Sequence, residues 1–182
     1  MNTNNKYYQK YIKYKQKYIK NKQIGGDKSL YDRLGGIYNI AAVVDRFSDA
    51  IIENAIVGKL SKNEDLKKWS NDQPERLAGL KFMRTLWVCE ATGGPFKFEP
   101  TIPGACHMSL ENAHGKFQIT PDEFDVVAKL LKESLEYYKV PQKEMKEVMD
   151  AFNSHKIDVT KGYYEKIGQP IDINKICPKK NN

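Results

Sequence analysis

The sequence predicts an all-α fold, built as one compact domain with polar extensions. A chain of 182 residues suits one domain better than two. Apolar residues recur at steps of three and four in several segments, which is the spacing of amphipathic helices. Period-two alternation, a strand–helix rhythm and internal repeats are not visible, so we expect no sheet.

Charge divides the chain into a basic leader and a neutral body. Residues 1–26 carry seven lysines and no acidic residue, whereas residues 27–182 carry 23 basic and 23 acidic residues. The net charge of +7 therefore belongs to the leader, and the body lacks the basic excess of a nucleic-acid-binding domain. We expect a leader over 1–26, a helical domain over 27–160 and a polar tail over 161–182.

The leader has the pattern of a basic amphipathic helix. Within residues 6–22, tyrosines and isoleucines line one side and lysines face them, an arrangement that suits an acidic surface. The preferred interpretation is a solvated segment without stable structure, because isolated helices of this length are marginal. The leader ends at Ile24-Gly25-Gly26 and resembles the Lys/Tyr-rich starts of giant DNA virus proteins, a low-complexity similarity that suggests a viral protein.

Start and stop signals divide the first half of the body into four helices. Ser29 and Asp32 have the spacing of an N-cap and its partner, and glycine pairs follow the first and last of the four. The predicted helices are a short one from Ser29 to Gly35-Gly36, one from Ile37 to about Glu53, a short one near Trp69, and one from Pro74 to Gly93-Gly94-Pro95.

The second half contains the clearest start signal, Thr120-Pro121-Asp122-Glu123. It combines an N-cap, a proline at the first helical position and an acidic residue at the third. Around it we predict a loop over 96–104, a helical piece from Met108 to Gly115, a turn at Val140-Pro141, a last core helix through Met145 and Phe152, and a loose tail from Gly162.

Three histidines are present, and His114 is the strongest candidate for a metal ligand. It ends the short helical piece and is followed by Phe117 and Ile119. An imidazole among apolar side chains suits a buried haem, because one neutral nitrogen must face the iron within a dry wall. A hydrogen-bonded core histidine has the same local pattern and is more common. Both interpretations stay open at this point.

The remaining candidates have simpler interpretations. Cys106 and His107, taken with His114, give too few ligands for a zinc site, so His107 is expected in a loop or at the surface. His155 suits a helix C-terminus, and Cys89 suits the core because no acid–base constellation accompanies it. Three cysteines and no apolar run near roughly 20 residues predict a soluble, intracellular protein from a reducing compartment.

Ordered segments from about Ser29 to His155 resemble group 1 truncated haemoglobins; they are residues 29–36, 41–47, 91–96, 111–119 and 124–127. The resemblance implies a two-over-two helical sandwich around haem b, with His114 as the proximal iron ligand. It also implies that the haem is lined by Phe47, Leu80, Arg84, Trp87, Leu110, Ala113, Phe117, Ile119, Phe124, Val127, Val148 and Phe152.

The distal side departs from the family pattern. Many members have a tyrosine directly after the phenylalanine of the second helix, but Phe47 is followed by Ser48, whose side chain is too short to reach as far. The family's distal glutamine corresponds to Arg84, with Leu80 and Trp87 one turn on either side. A buried guanidinium needs a paired charge, which either a haem propionate at the rim or an anionic ligand supplies. Trp87 is read as distal wall in preference to ordinary core.

The resemblance implies reversible binding of oxygen or another diatomic ligand, for storage, sensing or oxygen transport. The first alternative is a haem enzyme for nitric oxide dioxygenation or for peroxide or nitrite chemistry, in which Arg84 stabilises a developing anion. The second is a haem-free helical adaptor that docks through its basic leader. A viral origin would place the protein in the cytoplasm of an infected cell or in a virion.

Overall fold

The computed structural model describes residues 28–71, 74–99 and 109–165. These residues form eight α-helices and one 3₁₀ turn, and they contain no strand, so the all-α prediction is confirmed. None of these helices is both long and apolar enough to cross a lipid bilayer. The described residues do not include the leader, the tail beyond Glu165, Cys106 or His107.

The helices and the 3₁₀ turn are named here in chain order. Their bounds are α1 Leu30–Arg33, α2 Ile37–Glu53, α3 Glu64–Asn71, α4 Pro74–Ala91, α5 Leu110–His114, the 3₁₀ turn Gly115–Phe117, α6 Pro121–Tyr137, α7 Gln142–Ser154 and α8 Lys156–Glu165.

Local capping chemistry explains where several helices begin. At α6 the Thr120 hydroxyl accepts from the Glu123 amide at 3.1 Å, and the Glu123 carboxylate accepts from the Thr120 amide at 2.8 Å. The predicted capping box is therefore confirmed. At α1 the Ser29 hydroxyl accepts from the Asp32 amide at 3.1 Å, and the C-cap Leu34 is followed by Gly35, whose φ of 88° is left-handed.

Two predicted segments differ from the structure. The helical piece expected from Met108 begins at Leu110 and tightens into a 3₁₀ turn at Gly115. The loose tail expected from Gly162 is wrong for its first residues, because α8 continues to Glu165 and Gly162 is buried. Gly162 lies so close to Gly115 that a side chain would overlap its backbone, so this glycine permits a close approach where a loose tail was expected to begin.

The helices form two layers. Helices α2 and α4 pack together in one layer, α6 and α7 pack in the other, and α2 also contacts α6. The larger apolar cluster joins the layers, and its buried members are Phe47, Ile51, Val57, Leu66, Ile119, Phe124, Leu131, Leu135 and Met145. Helix α5 and the 3₁₀ turn lie against α8, whereas α4 and α5 are not a packed pair among the described helices.

Candidate functional site

His114 ends α5 with its imidazole oriented by its own helix. The ring Nδ1 lies 2.7 Å from the Leu110 carbonyl oxygen. Because a carbonyl only accepts, Nδ1 carries a proton, and a neutral ring then has its lone pair on Nε2. Within the described part of the chain this is the one hydrogen bond of the His114 side chain. Nε2 is therefore available to bind a metal.

The surroundings of His114 favour its neutral form. Burial lowers the pKa of the imidazole below its usual value, and the positive charge of Arg84 lowers it further, although the bond to Leu110 acts the other way. A neutral imidazole that donates its second N–H to a backbone carbonyl is the usual state of a metal-ligating histidine. The donor chemistry of His114 thus fits an iron ligand.

Arg84 is a charged group close to His114, and α2 anchors it. Its Nη1 donates to the Ser48 hydroxyl at 3.0 Å, and Ser48 is completely buried. The guanidinium carbon lies 5.8 Å from the centre of the Phe47 ring. Burial lowers the pKa of Arg84 to about 10, so the group stays charged at neutral pH. The side chain is directed toward the interior.

Arg84 on α4 and His114 on α5 lie near each other. Both side chains are half-buried, and the charge of Arg84 is near enough to affect the pKa of His114. Their two helices nevertheless do not pack against each other in the described parts of the chain. This separation, with an imidazole on one side and a cation on the other, is compatible with a flat cofactor between the two groups.

Most of the predicted lining residues meet in the larger apolar cluster. Phe152 stacks on Phe124 at a ring distance of 5.0 Å and meets Phe47 edge-on at 6.4 Å. Phe47, Ile119 and Phe124 are buried members of that cluster, and Phe117, Val127, Val148 and Phe152 pack against it. Leu80, Leu110 and Ala113 are half-buried on the two helices that carry Arg84 and His114.

Trp87 contacts a residue that the sequence did not associate with it. Its ring lies 5.3 Å from the imidazole of His155, with an edge-to-face tilt. His155 is the C-cap of α7, which agrees with its predicted place at a helix end. Trp87 therefore spans from α4 to the junction of α7 and α8. No local signal relates the two residues, because they come together only through the tertiary fold.

Two further neighbours were missed by sequence reasoning, and one prediction is confirmed. Trp69 of α3 meets Phe117 edge-on at 6.1 Å, which places α3 beside the 3₁₀ turn after His114. Lys161 of α8 pairs with Glu111 of α5 at 2.6 Å.

Cys89 is confirmed as a core residue, fully buried, and burial raises the pKa of its thiol to about 11.

Comparison with known proteins identifies relatives of this arrangement. The profile of the family described as bacterial-like globin matches residues 29–161. The 2/2 hemoglobin of Synechococcus sp. PCC 7002, solved in the cyanomet state with covalently attached heme, superposes with a TM-score of 0.56 at 21% identity, over 74% of this chain and 99% of that one. The Fe(III) truncated hemoglobin of Tetrahymena pyriformis gives 0.57 at 17% identity, over 72% and 97%. No curated protein matches the chain.

Proposed function

The chain belongs to the bacterial-like globin family, and on this premise we propose that it is a haem protein of the group 1 truncated type, which reversibly binds oxygen or another diatomic ligand. The observation that carries the proposal is the neutral imidazole of His114, with Nε2 available and with the charge of Arg84 near enough to lower its pKa, on a helix that does not pack against α4. When bound, a haem of type b would supply the iron at which the diatomic ligand binds.

His114 is the proposed proximal ligand, and its surroundings suit that role. The Leu110 carbonyl fixes the tautomer and the ring orientation. Helix α8 supports α5 from behind, through the pair of Lys161 with Glu111 and the close contact of Gly162 with Gly115. Such support keeps Nε2 in one position, which a ligand to iron requires.

The aromatic cluster is the proposed wall that keeps water from the haem. Phe152 contacts both Phe47 and Phe124, and the three rings extend the apolar surface that a porphyrin needs. We include Leu80, Trp87, Leu110, Ala113, Phe117, Ile119, Val127 and Val148 in the lining on the strength of the family resemblance and their burial. We also propose that residues 1–26, which resemble giant-virus leaders, form a separate leader whose residues 6–22 bind an acidic surface, with the globin domain over 27–160.

The enzyme alternative has one observation in its favour, the fixed cation at Arg84. A preoriented guanidinium stabilises an anion that develops during nitric oxide dioxygenation or peroxide or nitrite reduction. Nitrate formation from nitric oxide and oxygen over many turnovers, with a reductant present, would favour the enzyme. A ligand complex that only releases its ligand would favour the carrier.

The deciding experiment is an absorption spectrum of the purified protein with added haem. We expect an intense Soret band in the parent protein and an altered axial-ligand signature in His114→Ala. His155→Ala is the matched control, because it removes an imidazole that contacts Trp87, and it should keep the parent signature. A parent protein without a Soret band would support the haem-free adaptor, and an unchanged His114→Ala spectrum would remove His114 as the ligand.

A further inference from the structure

The position of the Arg84 guanidinium indicates whether its charge acts in the interior of the cleft or at the solvent rim. The bond to Ser48 holds it at a completely buried hydroxyl in the middle of α2, next to the Phe47 ring. A side chain that bound a carboxylate at the solvent rim would extend away from this point. The anchor therefore favours the interior of the cleft over the rim.

The charge of Arg84 has no anionic partner among the carboxylates whose positions are described. Asp45 and Asp49, which flank Ser48 on α2, are both occupied by Lys81 at 2.7 Å. Burial is the one cause that shifts the pKa of Arg84, so no described carboxylate offsets it. An uncompensated buried cation is costly, and a fold tolerates it where something else supplies the negative charge.

The hydrogen-bonding capacity of Arg84 is also largely unused. A guanidinium has five N–H donors, and the bond to Ser48 uses one of them. Within the described residues the Arg84 guanidinium makes no other hydrogen bond. Arg84 is half-buried, and its charge is close enough to His114 to lower the pKa of that imidazole.

We propose that Arg84, positioned by Ser48, makes the distal side of this pocket selective for small monovalent anions, such as azide or nitrite, over neutral ligands. This inference rests on the proposed function, because the anion is expected to bind between the guanidinium and the iron that His114 would hold. One guanidinium balances one negative charge, and its free N–H donors match acceptor atoms of nitrogen or oxygen. Ser48 acts as a positioning residue, since its hydroxyl fixes the guanidinium and does not itself reach the ligand.

The test compares an anion with a neutral ligand at the ferric haem protein. Azide and imidazole are titrated by absorption into the parent, Arg84→Met, Arg84→Lys, Ser48→Ala and Arg46→Met proteins. Arg46 is the matched control because it is an exposed arginine of α2 that stacks on Tyr137 at 3.9 Å. Removing a hydrogen bond to a charged group weakens binding about 10- to 100-fold.

We expect Arg84→Met to weaken azide binding about 10- to 100-fold while imidazole binding changes by less than about twofold. Arg84→Lys and Ser48→Ala should lie between it and the parent, and Arg46→Met should match the parent. Equal azide affinity in the parent and Arg84→Met would overturn the proposal, as would equal losses for azide and imidazole. A parent protein without a Soret band would remove the proposed function as well, so the two failures are distinguishable.

A second readout needs no haem. Because Arg84 is a buried charge without a described anionic partner, Arg84→Met should raise the thermal unfolding midpoint of the haem-free protein. Arg46→Met should not raise it. A lower midpoint for Arg84→Met would mean that the guanidinium is compensated within the fold, and the inference would then be overturned.

Discussion

Gly162→Ala tests whether the contact between α8 and the 3₁₀ turn positions His114. A Cβ atom at Gly162 would overlap the carbonyl oxygen of Gly115 and would lie 2.7 Å from both the carbonyl carbon and the Cα of that residue. All three are backbone atoms, so no side-chain rotation relieves the overlap. Either α8 or the turn that directly follows His114 must move.

Two opposing effects determine the magnitude. Replacing glycine by alanine inside a helix stabilises it by about 1 kcal/mol through the unfolded chain and helix propensity. Overpacking costs about 1–3 kcal/mol, and the upper end applies because the obstacle is backbone. We therefore expect Gly162→Ala to lower the free energy of unfolding by about 2 kcal/mol, with faster loss of haem because α5 shifts.

The assay is urea unfolding of the haem-free protein, together with the rate of haem transfer to an excess of an acceptor globin. Gly79→Ala is the matched control, since an added Cβ at Gly79 on α4 meets nothing within 4 Å. That variant should gain about 1 kcal/mol, so the two alanine substitutions should have opposite signs. A Gly162→Ala protein as stable as the parent, with an unchanged rate of haem transfer, would refute the reasoning.

Three further predictions follow from named contacts. Arg84→Leu should speed oxygen dissociation at least about tenfold, as measured by stopped flow, because bound oxygen is superoxide-like and the variant removes the cation that stabilises its negative charge; an unchanged rate would place the side chain away from the ligand. Arg33 lowers the pKa of the Glu147 carboxyl, so the pair of Arg33 and Glu147 should stabilise the fold above about pH 4.5 and lose this effect as the pH falls. In a plot of the free energy of unfolding against pH, Arg33→Gln should flatten this acidic region. Thr120→Ala should cost about 1 kcal/mol in urea unfolding, because the capping box of α6 is lost; Asp122→Ala should cost less.

Helix ends could be predicted from the sequence because their causes are local. The capping box at Thr120 and Glu123 lies within four residues, and the left-handed Gly35 follows α1 directly. The periodicity that predicted α2 likewise needs only its own residues. These signals require no knowledge of which helices meet, and the structure has them at the expected places.

Contacts between distant segments had no such signal. Gly162 has two possible uses, as a helix end or as a point of close approach, and only its contact with Gly115 distinguishes them. The ring pair of Trp87 and His155 depends on how α4 crosses the α7–α8 junction. The direction of Arg84 stayed open for the same reason, because its anchor Ser48 lies on another helix.

The combination at Arg84 argues for selection on binding rather than on stability. A leucine or methionine would pack beside Phe47 without the desolvation of a cation, and it would leave Ser48 able to bond to its own helix. The arginine instead keeps unused donors in a half-buried position that faces His114. Local features that oppose folding stability concentrate at functional sites, where a bound partner offsets their cost. The Arg84 cation, which has no anionic partner among the described residues, and the available imidazole of His114 together support the proposed ligand site.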